Sequence, residues 1–292
     1  MGGVAVPAAP MAVGGVRGFW RQFRRHRLGV AGLATVLVLG FVAVFAPLLA
    51  PYDPFTTSRN AFAPPGSAGH LLGTDHLGRD VLSGVIWGAR VSLIVGLAAA
   101  FTATVIGIFV GAVSGYFGGW VDELLMRITE LFQIIPRFVL ALIVVAFFGS
   151  GLTNLILVIG ILSWPQTARL VRSQFLRHRN LPYVDGARVV GMRAPRIIFS
   201  EILPNVMAPV IVVASLDIAQ AILLEASLGF FGLGDPNLRS WGGMLNTAQG
   251  FVQRAWWMSV FPGIAISLAV LGFNLVGDGL NEATDPRLRE GA

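Results

Sequence analysis

The stretch LGVAGLATVLVLGFVAVFAPLLA, residues 28–50, runs for 23 residues without a charge. A helix rising 1.5 Å per residue needs about 20 apolar residues to cross ~30 Å of hydrocarbon, so this segment predicts a transmembrane span. Five arginines (Arg17, Arg21, Arg24, Arg25, Arg27) stand immediately before it. The apolar run is too long for a signal-peptide core and no convincing A-x-A site follows, so the segment reads as an uncleaved anchor.

Working outward, the pattern repeats. Residues 91–115, about 138–149 (extended backwards through 131–136), about 152–168, 207–230 and about 256–280 read as five further spans. The third is interrupted near its start by Arg137, and the fourth is short, with Trp164-Pro165 near its end. The expectation is an all-α integral membrane protein with six transmembrane helices. The composition agrees: 55% of the 292 residues are hydrophobic and 12% charged, against roughly 25% charged in a soluble domain. Mean hydropathy is +0.73.

Arginine placement orients the bundle. With the N-terminus in the cytoplasm, fifteen arginines fall inside: the first five, Arg127, the seven between Arg169 and Arg196, and Arg287 and Arg289. Arg59, Arg79, Arg90, Arg239 and Arg254 fall outside, and Arg137 lies near the interface. Both termini are therefore expected to be cytoplasmic. Residues 1–16, small and without periodicity, are expected to be a disordered tail. Residues 17–27, with Phe19, Trp20 and Phe23 among arginines, read as an interfacial amphipathic helix or as the basic flank of the first span. A six-span domain covers 28–284 and a short cytoplasmic tail 285–292.

Several chemistries are excluded. There is no cysteine, and the four histidines have no i, i+4 pair, so no metal site is expected. All 21 basic residues are arginine. Without lysine the chain has no standard phosphate-binding P-loop, and cannot hydrolyse ATP by that route. The net charge of +6 is accounted for by topology, and no soluble basic domain is present to bind nucleic acid.

The longest internal loop on the arginine-rich side, about 169–205, carries NLPYVDGARVVGMRAPRIIFSEILPN from Asn180 to Asn205. Pro182 suits the first turn of a helix, Tyr183, Val184, Ala187 and Val190 recur at helical spacing, and Gly191 suits its end. Ala194-Pro195 opens a second helical piece with Ile197, Ile198 and Ile202. A short surface helix whose apolar face has no soluble domain of its own to cover it either inserts into a partner's groove or lies on its own chain's surface.

This loop resembles the EAA loop of ABC importer permeases: Asp185-Gly186-Ala187 stands in the E-A-A place, Gly191 at the glycine and Leu203-Pro204 at the end. Three positions depart from the pattern, with Asp for Glu, Gly186 for Ala and Glu201 for Ile. HLLGTDHLGRDVLS (70–83), Gly88-Ala89-Arg90, SWPQTARLVR (163–172), Gly232-Leu233-Gly234, Ser240-Trp241-Gly242 and Phe261-Pro262-Gly263 resemble, in order, permeases of the dipeptide/oligopeptide/nickel group. The compact first outer loop resembles the C-type member of the permease pair. The resemblance implies a type I ABC importer permease fold in the bacterial cytoplasmic membrane. It also implies a non-catalytic subunit importing short peptides, or alternatively nickel chelates or another small solute. A second, homologous permease as heterodimer partner is implied too, with two ATPase subunits or one fused ATPase holding the ATP and magnesium, an extracytoplasmic binding protein, and surrounding lipid. The coupling residues would be Tyr183, Val184, Asp185, Gly186, Ala187, Gly191, Leu203 and Pro204.

Other charged residues remain. Asp217 and Glu225 are intramembrane carboxylates eight residues apart, on neighbouring faces of one helix. They either line a translocation path or hold helices together. As a proton relay they would instead suit a secondary carrier, which would leave the coupling loop unexplained and predicts inverted repeats. In the first outer loop, Asp75 or Asp80 is expected to pair with Arg79 or Arg90 and fix the loop, or else to contact a docked binding protein. The spacing Gly107-x3-Gly111-x3-Gly115 predicts close helix packing, either within the chain or at a dimer seam.

Overall fold

The computed structural model describes residues 16–67 and 69–284. The chain runs α1 (Val16–Phe23), α2 (Arg27–Val44), α3 (Ala46–Leu49), α4 (Val81–Phe117), α5 (Gly119–Ile134), α6 (Arg137–Phe148) and α7 (Leu152–His178). It continues as α8 (Pro182–Val189), α9 (Ala194–Arg196), a π-helical segment (Ile197–Ile202), α10 (Leu203–Phe230), α11 (Trp241–Ala248) and α12 (Trp257–Thr284). No strand occurs among the described residues. The tails expected at 1–16, apart from Val16, and at 285–292 lie outside them.

Five segments are long and apolar enough to cross a membrane: α2, α4, α7, the continuous stretch Ala194–Phe230, and α12. The third expected span differs from a single rod. It is the pair α5 and α6, bent by 83°. Pro136 has no N–H and forces the preceding residue out of the helical region, and Ile135 sits accordingly at φ −89, ψ 132. Two further expectations change. The fourth span, expected over about 152–168, is the first part of a longer helix, α7, which carries Pro165 inside it and continues to His178. The fifth begins at Ala194 rather than Met207. Pro204 removes an N–H that would reach the carbonyl four residues back, and the widened π turn just before it absorbs the break.

Between hydrocarbon-facing helices there is no hydrophobic drive, so association rests on close van der Waals packing and interhelical polar contacts. The most extensive packing joins α4 to α7. A Cβ on Gly107 would meet Thr167 Cβ at 2.6 Å, one on Gly111 would run into Ala168 O, and one on Gly115 would meet Phe175 Cβ at 2.5 Å. The glycine stripe is therefore a seam inside the chain. A similar seam joins α2 to α12, where Gly29 and Gly32 face Gly279 and Leu275. His26 caps α2 by accepting from Gly29 N at 2.8 Å, and its Nε2 lies 3.2 Å from Glu282 of α12. Phe23 of α1 is buried against Gly279, while Trp20 stays exposed.

One polar bracket closes the end of the α4–α7 seam. Asp122, in the first turn of α5, accepts from Arg172 Nε at 2.5 Å and Nη2 at 2.6 Å, and from Ser114 Oγ of α4 at 2.5 Å. Arg179 Nη1 donates to Gly115 O at 3.3 Å. A bidentate guanidinium–carboxylate pair fixes orientation as well as distance. The last two turns of α7 are thus held to α4 and α5 immediately before the chain turns into α8.

Two outcomes follow from this packing. Gly111→Leu pushes a side chain into the α7 backbone, which cannot yield, and is expected to cost at least about 2 kcal/mol. The readout is the melting temperature in detergent, with Gly40→Leu as control, since a Cβ at Gly40 meets nothing within 4 Å. An equal effect of both would contradict the seam. Asp122→Ala and Arg172→Met are each expected to lower stability by about 2 kcal/mol by stranding a partly buried charge, and the double variant to lose less than the sum. Strict additivity in that cycle would dissolve the bracket.

Candidate functional site

The surface helix α8 is fixed at both ends by local chemistry. Leu181 is extended (φ −83, ψ 149), and Pro182 occupies the first helical turn, where its missing N–H costs nothing. At the other end Gly191 adopts φ +77. Its N–H donates to Arg188 O, and Met192 N donates to Ala187 O, both at 3.0 Å. This is the paired 5→2 and 6→1 pattern of a Schellman cap, which a residue with a Cβ enters only at a strain cost. The helix therefore has a defined start and stop eight residues apart.

Its two sides have different fates. Val184 and Ala187 are buried in a cluster with Val171 and Phe175 of α7, Ile197, Ile198 and Ile202 of the π segment, and Val206 of α10. On the opposite side Val189 is 87% exposed and Val190 75% exposed. Tyr183 is exposed beside them, and Gly186 leaves open space. The apolar face expected as one surface is in fact split. Val184 and Ala187 are covered by the chain's own core, whereas Tyr183, Gly186, Val189 and Val190 span an open arc of about 120° at 100° per residue. Of the two alternatives, seating on the chain's own surface holds for Val184 and Ala187.

The remaining loop residues fall in three places. Asp185 makes an exposed i, i+3 pair with Arg188 at 2.9 Å, a contact worth little by itself. Tyr183 Oη lies 3.0 Å from His178 Nδ1 at the end of α7. Burial, then the Glu201 carboxylate, raise the phenol above its ordinary pKa, so it stays protonated at neutral pH. Leu203 and Pro204 are not on the surface helix. They begin α10, directly after the π segment. The loop is a short helix held between the ends of two long ones, α7 and α10.

The intramembrane carboxylates are enclosed by the subunit. Asp217 accepts from Thr167 Oγ1 of α7 at 2.9 Å, and Glu225 from Ser92 Oγ of α4 at 2.8 Å. Both are buried, Glu225 to 1% exposure. The two neighbouring faces of α10 thus address two different helices, and each carboxylate bonds one of them. Thr167 is also the residue against which Gly107 packs, so the seam and the polar contact share a position.

In the loop between α3 and α4 the expected pairs are not the ones formed. Asp80 caps α4 by accepting from Ser83 N at 2.7 Å and Ser83 Oγ at 2.8 Å, and shares a hydrogen bond with His70 Nδ1 at 2.9 Å. Asp75 accepts from Leu77 N, Arg79 N and Arg239 Nη2 at 2.8, 2.9 and 3.0 Å. Its cationic partner is Arg239, not Arg79 or Arg90. Arg79 instead lies over the Phe55 ring, 5.9 Å from its centroid, and Arg90 over Trp87 at 5.8 Å. The correction has a simple reason: Arg239 is 164 residues away in sequence, and only the folded loops bring it in. The Asp122–Arg172 bracket likewise joins residues fifty apart, and neither the topology charge nor the 163–172 motif that includes Arg172 points to Asp122.

With this geometry in hand, the comparisons are specific. Residues 103–290 match the family model described as binding-protein-dependent transport system inner membrane component, and residues 16–65 the N-terminal TM domain of oligopeptide transport permease C. The di/tripeptide transport system permease protein DppC of Pseudomonas aeruginosa is 41% identical over 281 residues, covering 94% of this chain and 93% of that one. The dipeptide transport system permease protein DppC of Escherichia coli K12 is 44% identical over 98% of this chain and 97% of its own length. The glutathione transport system permease protein GsiD of Pectobacterium atrosepticum is 40% identical over 94% and 91%. Among solved structures, a chain of the MetNI methionine ABC transporter in an inward-facing conformation superposes with TM-score 0.56 at 18% identity, over 69% of this chain and 97% of that one. That last likeness concerns the fold, that of a type I ABC importer permease. Five long apolar helices, a bent pair and a clamped surface helix thus coincide with matches that together span nearly the whole sequence: the chain belongs to the binding-protein-dependent transport system inner membrane component family and is a multi-pass protein of the bacterial inner membrane.

Proposed function

We propose that this chain forms one half of the translocation path of an ATP-driven importer of short peptides and is driven through α8 by ATPase subunits that carry all the catalysis. The observation that carries this reading is the division of α8: one side locked into the core by Val184 and Ala187, the other bare at Val189 and Val190. An exposed apolar pair on a rigid short helix is the pattern of a segment seated in a partner's groove. The brackets at Arg172 and the continuous passage through the π segment into α10 connect that seat to two long helices.

The cargo assignment rests on relatives named for di/tripeptide, dipeptide and glutathione transport. The absence of lysine from the sequence supports ATP and magnesium being held by partner chains. The arginine distribution supports a cytoplasmic N-terminus and α8. On this reading a second, homologous but distinct permease completes the path, and an extracytoplasmic binding protein delivers the peptide. Asp217 and Glu225 then act as internal ties that keep α10 in step with α7 and α4, rather than as groups facing the cargo.

The test is Val190→Asp in cells that depend on this gene for uptake of radiolabelled dialanine. A charge on the seat is expected to weaken ATPase docking by about tenfold or more, equivalent to about 1.4 kcal/mol. Co-purification of the ATPase subunits and dialanine uptake should fall together, while the melting temperature holds because Val190 is 75% exposed. Uptake abolished by collapse of the proton gradient but insensitive to ATP depletion would contradict the reading.

A further inference from the structure

The bent pair α5 and α6 is long enough to cross the membrane only when both helices are counted, so the break at Pro136 lies within the span. Arg137, the first residue of α6, therefore carries its charge inside the membrane region. Among the described residues it forms no ion pair. Its side-chain hydrogen bond, from Nη1 to Ser163 Oγ, is stretched to 3.5 Å, and that hydroxyl already donates to Ile159 O at 2.6 Å. The Arg137 charge is felt by the Asp217 carboxylate of α10, yet Asp217 bonds Thr167 instead. Arg137 is only partly buried. Its guanidinium is a cation at membrane depth that this chain neither pairs nor encloses.

The helix leading up to it shows what lies against that group. At 100° per residue α5 has three sides. Asp122, bonded to Ser114 of α4 and Arg172 of α7, and the buried Thr129 share the side turned into the subunit. Leu124, Ile128 and Leu131 are exposed within an arc of about 60°, a surface suited to lipid or an apolar partner. The remaining arc of about 120° presents Glu123, Arg127, Glu130 and Gln133, all exposed. One exposed pair, Arg127 with Glu130 at 3.4 Å, forms along it. Charged groups on a span face a bundle interior or a water-filled cavity rather than acyl chains. The subunit leaves this polar stripe uncovered, so water lies on that side, and the stripe leads along α5 to the break where Arg137 stands.

We propose that this stripe of α5 lines the aqueous path and that Arg137, at its deep end, reads the C-terminal carboxylate of the peptide in transit. The proposal rests on the importer reading above and names the chemistry by which this half of the path meets its cargo. Every short peptide carries that carboxylate whatever its side chains are, and a guanidinium grips a planar carboxylate in a fork that an amide cannot reproduce. Partial burial makes the contact stronger than it would be in bulk water. One guanidinium on an open wall holds the carboxylate without enclosing it, as a cargo that must pass on requires.

The experiment uses the whole transporter, with the second permease, the ATPase subunits and the binding protein, in proteoliposomes. ATP-driven uptake is measured for radiolabelled dialanine and for its C-terminal amide, each at a concentration that saturates the binding protein. That protein is the same in every arm, so its own preference cancels between wild type and variant. Arg137→Gln is expected to slow dialanine about tenfold relative to the amide, with Arg137→Lys restoring part of the difference and the melting temperature unchanged. Unchanged dialanine uptake, or equal slowing of acid and amide, would overturn the proposal. A lowered melting temperature, or loss of the second permease from the purified complex, would also overturn it and make Arg137 a tie to that partner. Wild-type transporter that moves neither compound on addition of ATP would overturn the importer reading itself, and this assignment with it.

Discussion

In hydrocarbon no water stands by to satisfy a stray backbone N–H, a serine hydroxyl or a carboxylate, and each unsatisfied group costs several kcal/mol. The internal contacts of this chain are consequences of that requirement. Asp217 reaches Thr167 and Glu225 reaches Ser92, so that α10 carries its two charges only by bonding the helices beside it. Glycines at 107, 111 and 115 let α4 and α7 approach until backbone meets side chain, which supplies the van der Waals contact that stands in for a hydrophobic drive. Where helices leave this regime, charge pairs appear: Asp122 with Arg172 at one end of the seam, and Asp75 with Arg239 between the loops that precede α4 and α11.

The same constraint roots the surface helix, which the proposed function would use as a lever. Here Val184 and Ala187 root α8 in a cluster built from α4, α7, the π segment and α10, and the glycine cap and Pro182 set its length. The π turn before Pro204 lets the chain pass from surface to membrane without interrupting the helix. On the proposed reading, force applied to the exposed side of α8 would have two outlets, one up α7 through the Arg172 bracket and one up α10 toward Asp217. The bend of 83° between α5 and α6 sits beside this route, joined to it at Asp122.

Much of this was legible in the sequence wherever the signal is local. Length and apolarity marked the spans, the periodicity between Pro182 and Gly191 marked the surface helix, and the glycine stripe announced a close seam. What escaped depends on partners remote in sequence. No pattern near Asp75 points to Arg239, and nothing around Asp122 points to Arg172 fifty residues on. The two sides of α8 could not be told apart because Tyr183, Val184, Ala187 and Val190 form one periodic face until α7 and α10 cover half of it. Prolines misled in both directions. Pro136 bends its span more sharply than an interruption at Arg137 suggested, whereas Pro165 lies inside a helix that runs ten residues past the expected end near 168.

The central claim is that α8 presents its exposed side to a cytoplasmic ATPase while its other side is rooted in the membrane core. Because the chain contains no cysteine, single cysteines report position cleanly. The most direct measurement is labelling of Val190→Cys and Val184→Cys with a membrane-impermeant maleimide, in intact cells and in inverted membrane vesicles stripped of and then refilled with the ATPase subunits. The account predicts that Val190→Cys is silent in intact cells, reacts in stripped vesicles and is protected when the ATPase returns, while Val184→Cys stays silent throughout. Reaction of Val190→Cys from outside intact cells, or in vesicles with equal speed whether or not the ATPase is bound, would contradict it.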